Sequence, residues 1–100
     1  MKMQINGETL SISGLKELGV ANSDEVRHQA RAALTPEQKN IDVDLSEMSH
    51  LDSCGLGTLI SLRKTTSSRK GTMRLLNPKP GVQQLLELTR MHHVFEIVKP

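Results

Sequence analysis

The chain has 100 residues and a mass of 11.1 kDa, which is room for one domain and no second independent core. Phe95 is its only aromatic residue, and that excludes base-stacking readers of single-stranded nucleic acid and aromatic cages for methylated lysine. Thirteen Lys and Arg against eleven Asp and Glu leave a formal charge of +2, with no run of five like charges, so the electrostatic footprint of a duplex-binding protein is missing.

Cys54 stands alone, which excludes an intrachain disulfide and a CxxC zinc site. No apolar stretch approaches the ~20 residues of a membrane span, and Met1-Lys2-Met3-Gln4 leads into no signal-type apolar region. The setting expected is a reducing cytoplasm, with no membrane insertion and no nucleic-acid partner.

Met3 and Ile5, then Leu10 and Ile12, alternate with polar residues on either side of Asn6-Gly7. That pattern predicts a hairpin with strands over 2–5 and 8–13, because Asn and Gly both tolerate positive φ. Residues 14–19 are expected as loop. Asn22 to Glu25 has the form of a capping box, and Val26, Ala30, Ala33 and Leu34 follow on one helical face. Thr35-Pro36 ends that helix.

Residues 41–45 alternate cleanly and predict a strand, followed by a loop over 46–53. Leu56, Leu59, Ile60 and Arg63 have helical spacing, which predicts a helix over 54–68. Residues 72–76 read as a short strand with Met73 and Leu75 on one side. Pro80 opens a further helix that buries Val82, Leu85, Leu86 and Leu88. Residues 94–98 read as a strand or a helix tail. The order β-β-α-β-α-β-α implies a sheet with parallel pairs and helical crossovers.

One segment carries chemistry: Asp44-Leu45-Ser46 and then Leu51-Asp52-Ser53-Cys54-Gly55-Leu56-Gly57. A strand ends, a loop follows, and a helix starts with Ser53 near its N-cap. Glycine inside a helix costs up to ~1 kcal/mol relative to alanine, so two in one turn point to close backbone approach by neighbouring elements or a partner. Ser53 has a structural role available, since serine is a favoured N-cap. Its functional role would be phosphorylation, because a helix N-terminus offers free N–H groups and partial positive charge to an added phosphate.

The chain resembles the STAS domain family, in particular its bacterial anti-sigma factor antagonists. The resemblance rests on Val43-Asp44-Leu45-Ser46, Leu51-Asp52-Ser53-Cys54-Gly55-Leu56-Gly57, Met73-Arg74-Leu75, Pro80 to Leu86, and Leu88-Thr89 with Val94 to Ile97. It implies a single α/β domain over 1–100, with a small mixed sheet of about four strands, an N-terminal hairpin and flanking helices. It further implies that Ser53 is the phosphoacceptor, because the family's acceptor is the first serine after the aspartate. Gly19 stands where the family often carries an acid, and Arg90 where glycine is common.

The function implied is partner switching. The unmodified antagonist binds an anti-sigma factor with serine kinase activity and frees a sigma factor. Phosphorylation of Ser53 releases it, and a PP2C-type phosphatase resets it. The partner surface is expected to comprise Met48, His50, Asp52, Ser53, Cys54, Gly55 and Leu56, with Asp44 ordering the loop before Ser53. The alternatives within the family are a STAS accessory subunit docking on an ABC-transporter ATPase in lipid trafficking, or another STAS signalling scaffold. Neither role involves catalysis or a cofactor, and the protein is expected as a monomer or weak dimer.

Other candidates carry less. Set against a redox role, Cys54 is expected as a small buried spacer, and Met48, Met73 and Met91 are most simply core or loop filler, the docking surface being the other reading of Met48. Asp42 and Asp44 share a strand face but lack the third group an acid–base site needs. His28, His50, His92 and His93 show no metal-ligand spacing. Arg63, Lys64, Arg69 and Lys70 sit among hydroxyl residues at a helix end, where cations are favoured.

Overall fold

The computed structural model describes residues 1–99. Strands β1 (Lys2–Asn6) and β2 (Thr9–Ser13) form the N-terminal hairpin, and β3 (Glu17–Leu18) precedes helix α1 (Ser23–Ala33). Strand β4 (Asn40–Asp44), the two-residue β5 (His50–Leu51) and helix α2 (Ser53–Ser68) follow. Strand β6 (Met73–Leu76), helix α3 (Pro80–Leu88), a 3-10 turn (Met91–His93) and strand β7 (Glu96–Val98) complete the described residues.

The main sheet has five strands in the order β1-β2-β4-β6-β7, and β3 pairs with β5 in a separate two-stranded sheet. Among the described residues only the β1–β2 pair of this sheet is antiparallel; its other three pairs are parallel. From β2 onward each crossover moves one strand further in the same direction. With the right-handed crossovers that dominate such connections, α1, α2 and α3 all lie on one face. Side-chain alternation agrees. One row, Met3–Ile12–Val43–Leu75–Ile97, runs in register across all five strands on the core side. The adjacent row, Gln4–Ser11–Asp42–Arg74–Glu96, is polar and lies on the opposite, open face. At its centre Arg74 donates two hydrogen bonds to Asp42, at 2.9 and 2.6 Å.

Several expectations shift by a residue or a role. The hairpin turn is Gly7-Glu8, with Asn6 paired to Thr9. Gly7 has φ +62° while neither Asn6 nor Glu8 has positive φ, as a two-residue turn with glycine first requires. Asn22 is the N-cap residue of α1 but makes no side-chain cap bond. Its amide turns outward to brace the preceding loop, accepting from the Gly19 N–H (3.0 Å) and donating to the Glu17 carbonyl (2.9 Å). In α3, Val82 and Leu86 are buried, but Leu88 is 75% exposed, so it is not a core residue. Residues 94–98 divide into an irregular link, Val94 and Phe95, that follows the 3-10 turn, and strand β7.

Candidate functional site

The N-terminus of α2 is held from two sides. On one side, the loop between β4 and β5 is ordered at its start by Asp44, whose Oδ1 accepts from the Ser46 N–H at 3.0 Å. Met48 then turns inward, its N–H bonded to the Leu45 carbonyl. On the other side, residues 16–18 brace this loop. The Lys16 carbonyl accepts from the Ser49 N–H (2.9 Å), and β3 pairs with β5 through Glu17–His50 and Leu18–Leu51.

Gly55 is the keystone of that contact. A Cβ there would overlap the Leu18 carbonyl and crowd the Leu51 side chain. The glycine therefore lets the first turn of α2 lie directly on the β3–β5 pair. Gly57 has no such neighbour, since a Cβ there would meet nothing within 4 Å.

Asp52, not Ser53, caps the helix. Its Oδ1 accepts from the Gly55 N–H (3.1 Å), and its carbonyl accepts from the Leu56 N–H (2.9 Å). Its Oδ2 accepts from the Val20 N–H at 3.0 Å. Gly19 makes room for that carboxylate, since a Cβ at position 19 would overlap it. His50 Nε2 lies 3.6 Å from Oδ2. The N–H groups of Gly55 and Val20 stabilise the charged form, so the Asp52 carboxyl lies below its ordinary value.

With the cap taken by Asp52, Ser53 becomes the first helical residue and its side chain is exposed. Cys54 and His50 are exposed beside it in sequence, and Leu56 is half-buried. Cys54 is thus not the buried spacer expected. It sits on the solvent side of the first turn, while Gly55 takes the buried position.

Two residues expected at the partner surface lie inside. Met48 is fully buried, because the turn after Leu45 directs its long apolar side chain into the core. Gly55 is buried beneath Leu18. Beside this turn stands an exposed apolar residue that the sequence reading did not single out, Val20. It is 79% exposed although apolar, and Asp52 holds its backbone beside the α2 N-terminus. The signal was available: a lone valine inside an otherwise small and polar segment, Gly19 to Asp24.

Among the described residues no group of three or more His, Cys, Asp or Glu could hold a metal ion, and no helix is long and apolar enough to cross a membrane. The four histidines do not converge. His92 and His93 stack on each other in the 3-10 turn, with centroids 3.9 Å apart, far in sequence from His50 and His28. Asp42 is committed to Arg74. Arg63 and Arg69 serve the fold: Arg63 donates to the Val94 carbonyl (2.7 Å), and Arg69 to the Thr35 and Gln38 carbonyls (2.6 and 2.5 Å).

Comparison with known proteins bears on this geometry. A sequence model of the STAS domain matches residues 1–99. A STAS-domain containing protein of Pseudomonas aeruginosa is 32% identical over 89 residues, covering 89% of this chain and 85% of the relative. An anti-sigma F factor antagonist of Paenibacillus polymyxa is 29% identical over 82 residues, covering 81% and 70%. Among solved structures, an anti-sigma factor antagonist, SpoIIAA in its unphosphorylated form, superposes with a TM-score of 0.84 at 20% identity, covering 98% of this chain and 87% of its own. The phosphorylated form of Bacillus SpoIIAA gives 0.75 at 19% identity, covering 98% and 90%. A murine solute carrier 26 anion transporter matches at 0.77 and 17% identity, over 96% of this chain and only 17% of the transporter. These structural likenesses concern the fold.

Proposed function

This chain belongs to the STAS domain family, and from that premise we propose that it is an anti-sigma factor antagonist switched by phosphorylation of Ser53. In the unmodified state it binds an anti-sigma factor with serine kinase activity and so frees a sigma factor. The kinase transfers a phosphate to Ser53, the complex dissociates, and a PP2C-type phosphatase restores binding. The domain presents a surface and accepts a charge; it contributes no catalytic group of its own.

The observation that carries this reading is the division of labour between Asp52 and Ser53. Asp52 caps α2, which leaves the Ser53 hydroxyl on the exposed first turn without a structural duty in the cap. Phosphorylation there adds about −1.5 to −2 charge. That cancels most or all of the formal +2 of the chain. The added charge lies one residue from the ionised Asp52, at a helix end whose partial positive charge accommodates it without unfolding. The consequence falls on whatever docks over Val20, Ser53, Cys54 and Leu56.

The test is binding of the purified chain to its cognate anti-sigma kinase. Ser53→Ala should keep the affinity of the wild type, and Ser53→Asp should lose most of it. Equal affinity of the two variants would count against the switch. A kinase that binds neither variant nor the wild type would count against the partner.

A further inference from the structure

We infer that two copies of this chain pair through β1, antiparallel and centred on Gln4, to form one continuous ten-stranded sheet. β1 is an edge strand. The Glu8 carbonyl accepts from the Asn40 N–H on the β4 side (3.0 Å), which turns the backbone groups of Thr9 towards β1. Asn6 and Thr9 close a two-residue turn and therefore form a hydrogen-bonded pair. With that phase fixed, Lys2, Gln4 and Asn6 bond to β2, and the N–H and C=O groups of Met3 and Ile5 point away from the sheet.

Those free groups match themselves. When two β1 strands run antiparallel about Gln4, Met3 faces Ile5 of the second copy and Ile5 faces its Met3. Both are hydrogen-bonded pairs, and they satisfy every outward group of the two residues. The side chains agree with the backbone. Met3 and Ile5 lie on the helix-covered side, where Ile5 is 50% exposed and Met3 partly buried. Pairing covers Ile5 with Met3, while Lys2 meets the amide of Asn6 on the open face.

The strand also lacks the devices that blunt an edge: it has no proline or bulge, and a single charge at its start. The opposite edge, β7, has only three residues and is bounded by Glu96 and Lys99. A two-fold axis normal to the sheet keeps the helices of both copies on one face. It points the two α2 N-termini in opposite directions, so two partners can dock on one dimer without collision.

The experiment uses the full chain. Sedimentation equilibrium from micromolar to millimolar should show a transition from 11.1 kDa to twice that mass. Register is read by cross-linking in a Cys54→Ser background. Gln4→Cys should oxidise readily to a disulfide dimer, because Gln4 faces itself across a non-hydrogen-bonded pair with Cα atoms about 4.5 Å apart. Asn6→Cys should not, since the two copies of residue 6 would lie roughly 14 Å apart along the strands. Ile5→Pro removes an outward N–H that an edge strand does not use internally, and should give a folded monomer. Should that variant fail to fold, Ile5→Lys serves in its place. A wild-type chain that stays monomeric throughout, or cross-linking at residue 6 as efficient as at residue 4, would overturn the inference.

Discussion

Asp52 ties the exposed Val20 to the first turn of α2: its Oδ2 accepts from the Val20 N–H at 3.0 Å while its Oδ1 caps the helix at Gly55. One carboxylate thus fixes both the loop before α1 and the helix that bears Ser53. Asp52→Ala should lower the melting temperature and weaken partner binding together. Val20→Ser should weaken binding with little change in melting temperature, since its side chain is 79% exposed. A Val20 variant with unaltered affinity would remove that residue from the docking surface.

The same carboxylate sets an acid dependence. The ordinary value of its pKa is 3.8, and the N–H groups of Gly55 and Val20 hold it lower in the folded chain. A depressed folded pKa contributes stability that is complete above the unfolded value and is lost as pH falls through the folded one. The stability difference between wild type and Asp52→Asn, measured by urea unfolding, should be constant near neutrality and shrink below about pH 4. A difference that does not change with pH would contradict this assignment.

Gly55 and Gly57 occupy one helical turn with opposite surroundings. Gly55→Ala drives a Cβ into the Leu18 carbonyl and should cost about 3 kcal/mol, the upper range for overpacking. Gly57→Ala meets nothing and should stabilise by up to ~1 kcal/mol through helix propensity. Thermal denaturation of the two variants checks both signs. If Gly57→Ala stabilises the chain yet weakens partner binding, Gly57 marks a place of close backbone approach by the partner.

Arg90 has φ +60°. Left-handed backbone costs a side-chain-bearing residue roughly 1–2 kcal/mol, against ~0.5–1 kcal/mol for the added freedom of glycine in the unfolded chain. Arg90→Gly should therefore stabilise by about 0.5–1 kcal/mol. A fall in melting temperature would show that the guanidinium contributes more than its backbone costs.

Much of this architecture was legible because long periodic segments dominate their surroundings. The alternation of Ile41-Asp42-Val43-Asp44-Leu45 leaves one solution for the core face, and the helical spacing of Leu56, Leu59 and Ile60 places all three in or against the core. The β3–β5 pair was not legible, because two-residue strands carry no period and exist only through contacts between Lys16–Leu18 and Ser49–Leu51. The cap was misplaced by one residue because aspartate and serine are both good N-caps. Only the reach of Asp52 to Val20 and Gly55 decides between them. Met48 and Cys54 each had a buried and an exposed reading, and Met48 took the buried one and Cys54 the exposed one for a related reason: within irregular segments and first turns, the direction of a side chain is set by tertiary contacts.

The central claim rests on Ser53 as the sole acceptor. Its most direct test is intact-mass and peptide-mass spectrometry of the chain after incubation with the anti-sigma kinase and Mg-ATP. The account predicts one added phosphate, located on Ser53 and lost in Ser53→Ala. A phosphate found on another residue, or an unmodified wild-type chain in the presence of an active kinase, would contradict it.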